Sequence, residues 1–280
     1  MSYKSLLTVL TGPANDHGVL DTAIDLARVL DAHLDVLAVG VDRTAMDAMA
    51  FSGVGIVGLA GPPDHAQTEV DALATSLRAR LSPEDIRWSL DVALAPAVAL
   101  GAAVAPRARY SDLLISPLPL APQHGEDTET VVESALFAAH LPVLLLPQGA
   151  EMNLARLNLL IAWNGSDQAM RAVRAALPLL HAAHKIGIAV VAGSLAGPER
   201  SDPGGALAQM LSRRGLHANI AVLAQTGDAK ADILLHHARE IGANCLVMGA
   251  YGHSRLRESL LGGATRDMMA RTSVPVLMAH

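Results

Sequence analysis

The segment Cys245-Leu246-Val247-Met248-Gly249-Ala250-Tyr251-Gly252 decides the fold, because it reads as a buried strand that ends in two glycines. Nine residues separate Gly252 from Gly262-Gly263-Ala264-Thr265, the start of a predicted helix over 262–272. A short aliphatic strand that leads into a helix is typical of a parallel sheet covered by helices on both faces. We therefore expect an α/β architecture around this segment.

The same order of elements occurs twice in the 280 residues. The run Leu141–Pro147 ends the first copy as Val274–Met278 ends the second, and each run follows a strand and a helix. The opening strands correspond in the same way, Leu6–Gly12 with Leu159–Gly165. Such a repeat predicts two similar domains, at residues 1–149 and 154–280. The first copy is longer, and we place its insertion at residues 42–63.

Hydrophobic periodicity and glycine or proline punctuation predict the individual elements. Gly215 and Gly242 stand where helix C-caps are expected. In the first copy the predicted strands are 4–10, 33–40, 86–94, 111–116 and 142–146, and the predicted helices 16–31, 64–81, 96–108 and 128–139. In the second copy the predicted strands are 157–163, 185–192, 218–224, 244–249 and 274–279, and the predicted helices 167–181, 203–214, 229–241 and 262–272.

The composition excludes several classes of protein. A net charge of -6 and an aromatic content of 2% argue against nucleic-acid binding. The single cysteine, Cys245, excludes a disulfide framework, and we expect it to be buried in its strand. The paired histidines at 181 and 184 and at 236 and 237 have no cysteine or carboxylate cluster beside them, so we expect no metal site. Because no long apolar run or signal-peptide pattern occurs, we expect a cytoplasmic protein without a membrane segment.

The glycine pattern after the fourth strand of the second copy has two interpretations. Glycines let the backbone approach a phosphate closely, and a helix start offers unpaired N–H groups to it. Arg255 adds positive charge to such a cradle. Alternatively, Gly249 and Gly252 only form a tight turn, and Gly262 with Gly263 permits close helix packing. The spacing by itself leaves both interpretations open.

The motif Gly249-x2-Gly252-x9-Gly262-Gly263 and its flanking segments, 248–254 and 271–277, resemble the universal stress protein family in its tandem form. ATP-binding members of that family carry Gly-x2-Gly-x9-Gly-(Ser/Thr) after the fourth strand. The resemblance implies two Rossmann-like, doubly wound domains, each with five parallel strands in the order 3-2-1-4-5. It also implies that the two fifth strands pair antiparallel, as an intrachain pseudo-dimer, and it is compatible with a homodimer of chains.

The resemblance further implies an ATP site in the second domain. Ala162 and Asn164 would line the base and ribose side, and the backbone of Val191 would hydrogen-bond adenine. Two positions depart from the family: Asn164 replaces the usual Asp, and Gly263 replaces Ser or Thr, so that the Thr265 hydroxyl either substitutes or caps the helix. The residues assigned to the phosphates and their flanks are Met248, Gly249, Gly252, His253, Arg255, Gly262, Gly263, Ala264 and Thr265.

The first copy lacks this cradle. Pro117 stands where Gly249 does, Leu120 where Gly252 does, and Glu129 where Gly262 does. Proline has no N–H to offer, and a carboxylate at the helix start repels phosphate. We therefore expect the first domain to bind no ATP.

The function that follows is a cytoplasmic stress-response protein that binds ATP, with Mg²⁺ as an accompanying ion, as a sensor or switch. No catalytic residue is assigned, and any ATP hydrolysis is expected to be slow. Two alternatives are a nucleotide-free protein-interaction module and an adenylyl-transferring enzyme. Saturable ATP binding would exclude the nucleotide-free module. Transfer of AMP to a product or to the protein would indicate the adenylyl-transferring enzyme.

Overall fold

The computed structural model describes residues 2–12, 18–43, 64–119, 125–150, 152–193, 201–250 and 263–280. The chain divides into two compact units, Tyr3–Leu141 and Pro142–His280, and Ser2 belongs to the second. Most of the insertion expected at residues 42–63 lies outside the described residues.

The first unit contains a parallel sheet in the order β3-β2-β1-β4. Its aliphatic strands are buried, with the exception of β3, which forms an exposed edge. The strands are β1 (Ser5–Leu10), β2 (His33–Asp42), β3 (Arg87–Pro96) and β4 (Leu113–Pro117). The helices are α1 (Val19–Leu30), α2 (Asp64–Leu81), α3 (Leu100–Ala108), which a single turn at Ala97–Ala99 precedes, and α4 (Glu126–Glu133), which widens into a π-helical turn at Ser134–Ala138.

The second unit repeats this arrangement and contains two further strands. Its strands are β5 (Val143–Leu146), β6 (Asn158–Ala162), β7 (Lys185–Val191), β8 (Ala218–Leu223), β9 (Cys245–Gly249) and β10 (Val276–Ala279). Its helices are α5 (Asp167–Ala175), α6 (Leu177–Ala182), α7 (Gly205–Ser212), α8 (Lys230–Glu240) and α9 (Gly263–Arg271), with a single 3-10 turn at Leu154–Arg156.

The strand order in the second unit is the predicted doubly wound order. The sheet runs β8-β7-β6-β9-β10, which is 3-2-1-4-5 in the numbering of one copy. β5 pairs antiparallel with β10, so that Val276 lies opposite Leu145 and Met278 opposite Val143. This is the pairing expected of the two fifth strands. It covers an aliphatic edge that would otherwise offer unpaired backbone groups to other chains.

Local chemistry explains where the helices of the second unit end. Gly215 and Gly242 have φ of 75° and 65°, as predicted for C-cap glycines. The N–H of Leu216 donates to the Leu211 carbonyl at 3.1 Å, and the N–H of Ala243 donates to the Ala238 carbonyl at 2.8 Å, which closes both helix ends.

One helix prediction was wrong. The pattern predicted a continuous helix over 167–181, but the chain breaks at Ala176 into α5 and α6. Pro178 lies in the first turn of α6. Proline is tolerated at this position because the N–H groups of a first turn have no helical partner, whereas inside a helix it would remove a hydrogen bond.

Within the described ranges, no helix is both long enough and apolar enough to cross a membrane.

Candidate functional site

The carboxyl ends of three strands of the second unit meet at one edge of its sheet. β6 lies between β7 and β9, and Ala162 pairs with Ala189 on one side and with Met248 on the other. The chain leaves β6 toward β7 and β8 and returns on the opposite side as β9 and β10. Such a reversal point is where open α/β sheets bind their ligands. We call this edge, with the helix starts that follow β6 and β9, the carboxyl edge.

The turn after β6 is held by its own side chains. Asn164 Oδ1 accepts hydrogen bonds from the N–H of Ser166 at 3.1 Å and from its Oγ at 2.7 Å. Ser166 Oγ in turn accepts from the N–H of Ala169 at 3.2 Å, which caps α5. Gly165 supplies the positive φ of 71° that the turn requires. Asn164 is exposed at the carboxyl edge. Its hydrogen bonds with Ser166 fix the orientation of its side chain.

Ser166 is the residue of this edge that the sequence analysis missed. A signal for it exists in the sequence, since a serine two positions after an asparagine and directly before an amphipathic helix is a typical N-cap.

Gly249 ends β9 against the first turn of α5. A β-carbon built on Gly249 would lie 2.5 Å from the Ala169 backbone nitrogen and 2.7 Å from the carbonyl carbon of Gln168. This glycine therefore has a packing role, which differs from the tight-turn alternative considered for it. The close contact brings the end of β9 and the start of α5 together at the carboxyl edge.

Gly263 begins α9 in open space. A β-carbon built there would meet no atom of the described residues within 4 Å, and the residue is exposed. Close packing against the described helices therefore does not explain the glycine at this position. Ala264 is half-buried and Thr265 is buried, with 4% of its surface exposed. The first turn of α9 contains no acidic residue.

The far end of α9 is anchored to α8. Arg271 in its last turn donates a hydrogen bond to Asp232 and lies 3.7 Å from Asp267. The hydrogen bond and the charge of Asp232 raise the pKa of the Arg271 guanidinium. This ion pair lies at the C-terminal end of α9, away from the exposed start of the helix.

Val191 is the last residue of β7, and its side chain is buried. The Trp163 N–H donates to the Ala189 carbonyl at 2.8 Å, and the Ala192 N–H donates to the Leu223 carbonyl of β8 at 2.7 Å. Backbone groups point to alternate sides along a strand. The N–H and C=O of Val191 therefore point toward the β6 side, as those of Ala189 do.

Trp163 lies directly after β6 and is 4% exposed. Its side chain either borders the site or fills space beside β6.

Four of the assigned residues, Gly252, His253, Arg255 and Gly262, lie outside the described residues. The structure brings Ala162, Asn164, Met248 and Gly249 to the carboxyl edge, and α9 starts with Gly263, Ala264 and Thr265.

The corresponding helix start of the first unit has the opposite character. The first turn of α4 carries three acidic residues, Glu126, Asp127 and Glu129. Arg43 donates a hydrogen bond to Asp127. β4 ends in Pro117, where β9 ends in Gly249. A helix start that already holds three carboxylates disfavours a phosphate group.

Two further expectations concern side chains near this part of the second unit. Cys245 is fully buried in β9, as predicted, and burial raises the pKa of its thiol to about 12. Among the described residues, no group of three or more His, Cys, Asp or Glu side chains is arranged to hold a metal ion. Of the paired histidines, His184 contacts the carbonyl of Ala155 and His236 contacts Glu240.

Comparison with known structures shows the same fold over nearly the whole chain. A universal stress protein from Archaeoglobus fulgidus DSM 4304 covers 98% of this chain and 95% of its own, with a TM-score of 0.69 and 17% identity. A structure from Pseudomonas aeruginosa UCBPP-PA14, named for the same family, covers 99% of this chain and 93% of its own, with a TM-score of 0.61 and 17% identity.

The match to a family model lies in the second unit. The model of the universal stress protein family matches residues 156–280. The curated universal stress protein Slr1230 from Synechocystis sp. PCC 6803 is 30% identical over 73 residues, which are 26% of this chain and 24% of that protein. The match thus spans about a quarter of that relative's length. The region matched by the model of the universal stress protein family includes the carboxyl edge and the glycine motif, so that the similarity to this family covers the candidate site.

Proposed function

We propose that the second unit binds ATP at the carboxyl edge and that the chain acts as a nucleotide sensor in a stress response. The observation that carries this proposal is the start of α9. It follows the glycine motif, its first turn holds no acidic side chain, and no atom of the described residues lies within 4 Å of a β-carbon built on Gly263. A helix start of this kind attracts a phosphate group through its unpaired N–H groups and its positive partial charge.

The remaining contacts of the ligand follow from the same edge. The phosphates would lie at Gly263 and Ala264, with the N–H groups of the first turn of α9 as donors. Asn164, fixed by Ser166, offers an amide group to the ribose hydroxyls. The Val191 backbone, directed toward the β6 side, offers a donor and an acceptor to adenine. A backbone donor and a backbone acceptor together select the base whose edge offers the complementary acceptor and donor.

The first unit is proposed to bind no ATP. The three carboxylates in the first turn of α4 carry negative charge where a phosphate would bind, and they repel it. Pro117 cannot donate a backbone hydrogen bond at the end of β4. The two units would therefore differ in function while sharing one fold.

The test is a calorimetric titration of the full chain with ATP, repeated with GTP. We expect saturation at one ATP per chain and weaker binding of GTP, because guanine presents the opposite donor and acceptor at its edge. Saturation at two ATP per chain would overturn the assignment of the first unit. No saturable binding at millimolar ATP would overturn the proposal and favour a nucleotide-free interaction module.

A further inference from the structure

The first unit contains a cavity of about 210 Å³ between its sheet and the C-terminal end of α3. We call it the α3 cavity. It lies in the unit that lacks the features proposed for nucleotide binding. Its polar lining comprises two carboxylates, a guanidinium group and a phenol, of Asp35, Asp91, Arg107 and Tyr110, together with the hydroxyls of Ser89 and Ser111.

The strand register places the carboxylates on one face of the sheet. Leu7 pairs with Asp35, and Asp35 pairs with Ser89. Leu37 pairs with Asp91 in the same way, two residues further along both strands. Paired residues of parallel strands, and alternate residues of one strand, project to the same face. The α-carbons of Asp35 and Asp91 are therefore about 8 Å apart, from the spacing of strands and residues.

Asp35 is fixed by its neighbours. Ser5 Oγ donates to its Oδ2 at 3.1 Å, and Ser89 Oγ donates to its Oδ1 at 2.5 Å. His33 Nε2 lies 3.4 Å from Oδ1. The side chain is still 41% exposed, so the carboxylate is oriented by hydroxyl groups and also open to a ligand.

The charges around the cavity do not cancel. Arg107 Nε donates to Asp91 Oδ2 at 3.1 Å, which neutralises one carboxylate. Among the described residues, the partners of Asp35 are the hydroxyl groups of Ser5 and Ser89 and the imidazole of His33, with no guanidinium or ammonium group. Tyr110 is 83% exposed, so its aromatic ring is available at the cavity.

The second unit closes the corresponding place with apolar side chains. There the register pairs Leu160 with Gly187, and Gly187 with Asn219. A β-carbon on Gly187 would lie 3.0 Å from Leu160 Cδ1 and 3.2 Å from Ile241 Cδ1. The position of Asp35 is thus a tightly covered glycine in the second unit. The first unit has a carboxylate where its fold copy has a glycine packed against Leu160 and Ile241.

We propose that the α3 cavity binds a small organic ammonium ion. The ammonium group would donate to Asp35, in a hydrogen bond strengthened by charge, and the carbon chain would lie along the cavity lining. Tyr110 would add a cation–π contact with the exposed face of its ring. The surplus negative charge disfavours an anionic ligand at the same place.

The test uses the full chain without ATP and three probes of matched size: n-butylammonium, 1-butanol and butyrate. The readout is the ring carbon resonances of the three tyrosines, Tyr3, Tyr110 and Tyr251, with Tyr110 assigned through Tyr110→Phe. We expect a saturable shift of the Tyr110 resonance with n-butylammonium alone. The buried Tyr3, which is 4% exposed, reports that each variant is folded.

Two variants with the same change in charge complete the experiment. Asp35→Asn keeps the shape of the side chain and is expected to weaken n-butylammonium binding about tenfold or more, the usual loss for a charged hydrogen-bond partner. Asp71→Asn, on α2 outside the cavity, is expected to leave it unchanged. An equal response to 1-butanol or to butyrate, equal losses in both variants, or no saturable shift in the wild type would overturn the proposal. None of these outcomes depends on ATP binding.

Discussion

Gly249 and Ala169 meet so closely that a β-carbon on the glycine would lie 2.5 Å from the backbone nitrogen of the alanine. This contact joins the end of β9 to the first turn of α5. It gives Gly249 a role in folding that is independent of any ligand. Gly263, at the start of α9, has no such neighbour within 4 Å in the part of the chain that the structure describes. The two glycines of one motif therefore serve different purposes.

The first prediction follows from this difference. Gly249→Ala is expected to lower the free energy of unfolding by about 1–3 kcal/mol, because an atom forced into a packed place displaces backbone. Gly263→Ala is the control and is expected to change stability slightly, or to raise it by up to about 1 kcal/mol. Urea denaturation followed by circular dichroism measures both. Equal stabilities of the two variants would contradict the packing role of Gly249.

Ser166 is predicted to stabilise α5 and to orient Asn164. Ser166→Ala removes the acceptor for the Ala169 N–H and the donor to Asn164 Oδ1. We expect a loss of about 1 kcal/mol in the free energy of unfolding, the usual value for an N-cap. Ser212→Ala, at the end of α7, is the matched control. An unchanged free energy of unfolding for Ser166→Ala would show that the cap does not stabilise α5.

The raised pKa of Glu133 predicts that the stability of the first unit depends on pH. Burial, and to a smaller extent the charge of Glu129, raises the pKa of its carboxyl group. A group whose pKa is higher in the folded state contributes stability at low pH and loses it as the pH rises through the folded pKa. Glu133→Gln is therefore expected to raise the melting temperature at pH 7, with the gain disappearing below about pH 4. A gain of equal size at both pH values would contradict this origin.

Cys245 is predicted to be unreactive in the folded protein. Its thiol is fully buried, and its pKa is raised to about 12. The thiolate, which is the reactive form, is therefore scarce at pH 8. Ellman's reagent should release no thionitrobenzoate from the native chain and one equivalent per chain after denaturation in urea. Rapid reaction of the native chain would contradict the burial of β9.

Much of the fold follows from local sequence. The aliphatic runs predicted the strands to within two or three residues, and the glycines at 215 and 242 predicted two helix ends. The break at Ala176 could also have been predicted from the sequence, because Pro178 follows it. The start of α4 could be predicted only in part, because Glu129 was expected at the helix start, whereas the helix begins at Glu126.

The candidate site could be predicted from the sequence less completely than the fold. The motif located the edge, but the spacing could not distinguish a glycine needed for packing from one that faces open space. That distinction depends on the approach of α5 to β9, which involves residues about eighty positions apart. The α3 cavity was missed for the same reason. Ser5, Asp35 and Ser89 come together only through the register of three strands.

The central claim is that the start of α9 receives the phosphates of ATP, and a calorimetric comparison of three variants tests it most directly. Gly263→Asp copies the acidic helix start of α4 and is expected to weaken ATP binding about tenfold or more. Gly263→Ser adds a hydroxyl in open space and is expected to bind at least as tightly as the wild type. Ala206→Asp, which adds the same charge to the start of α7, is expected to change nothing. Equal ATP affinities of Gly263→Asp and the wild type would contradict the claim.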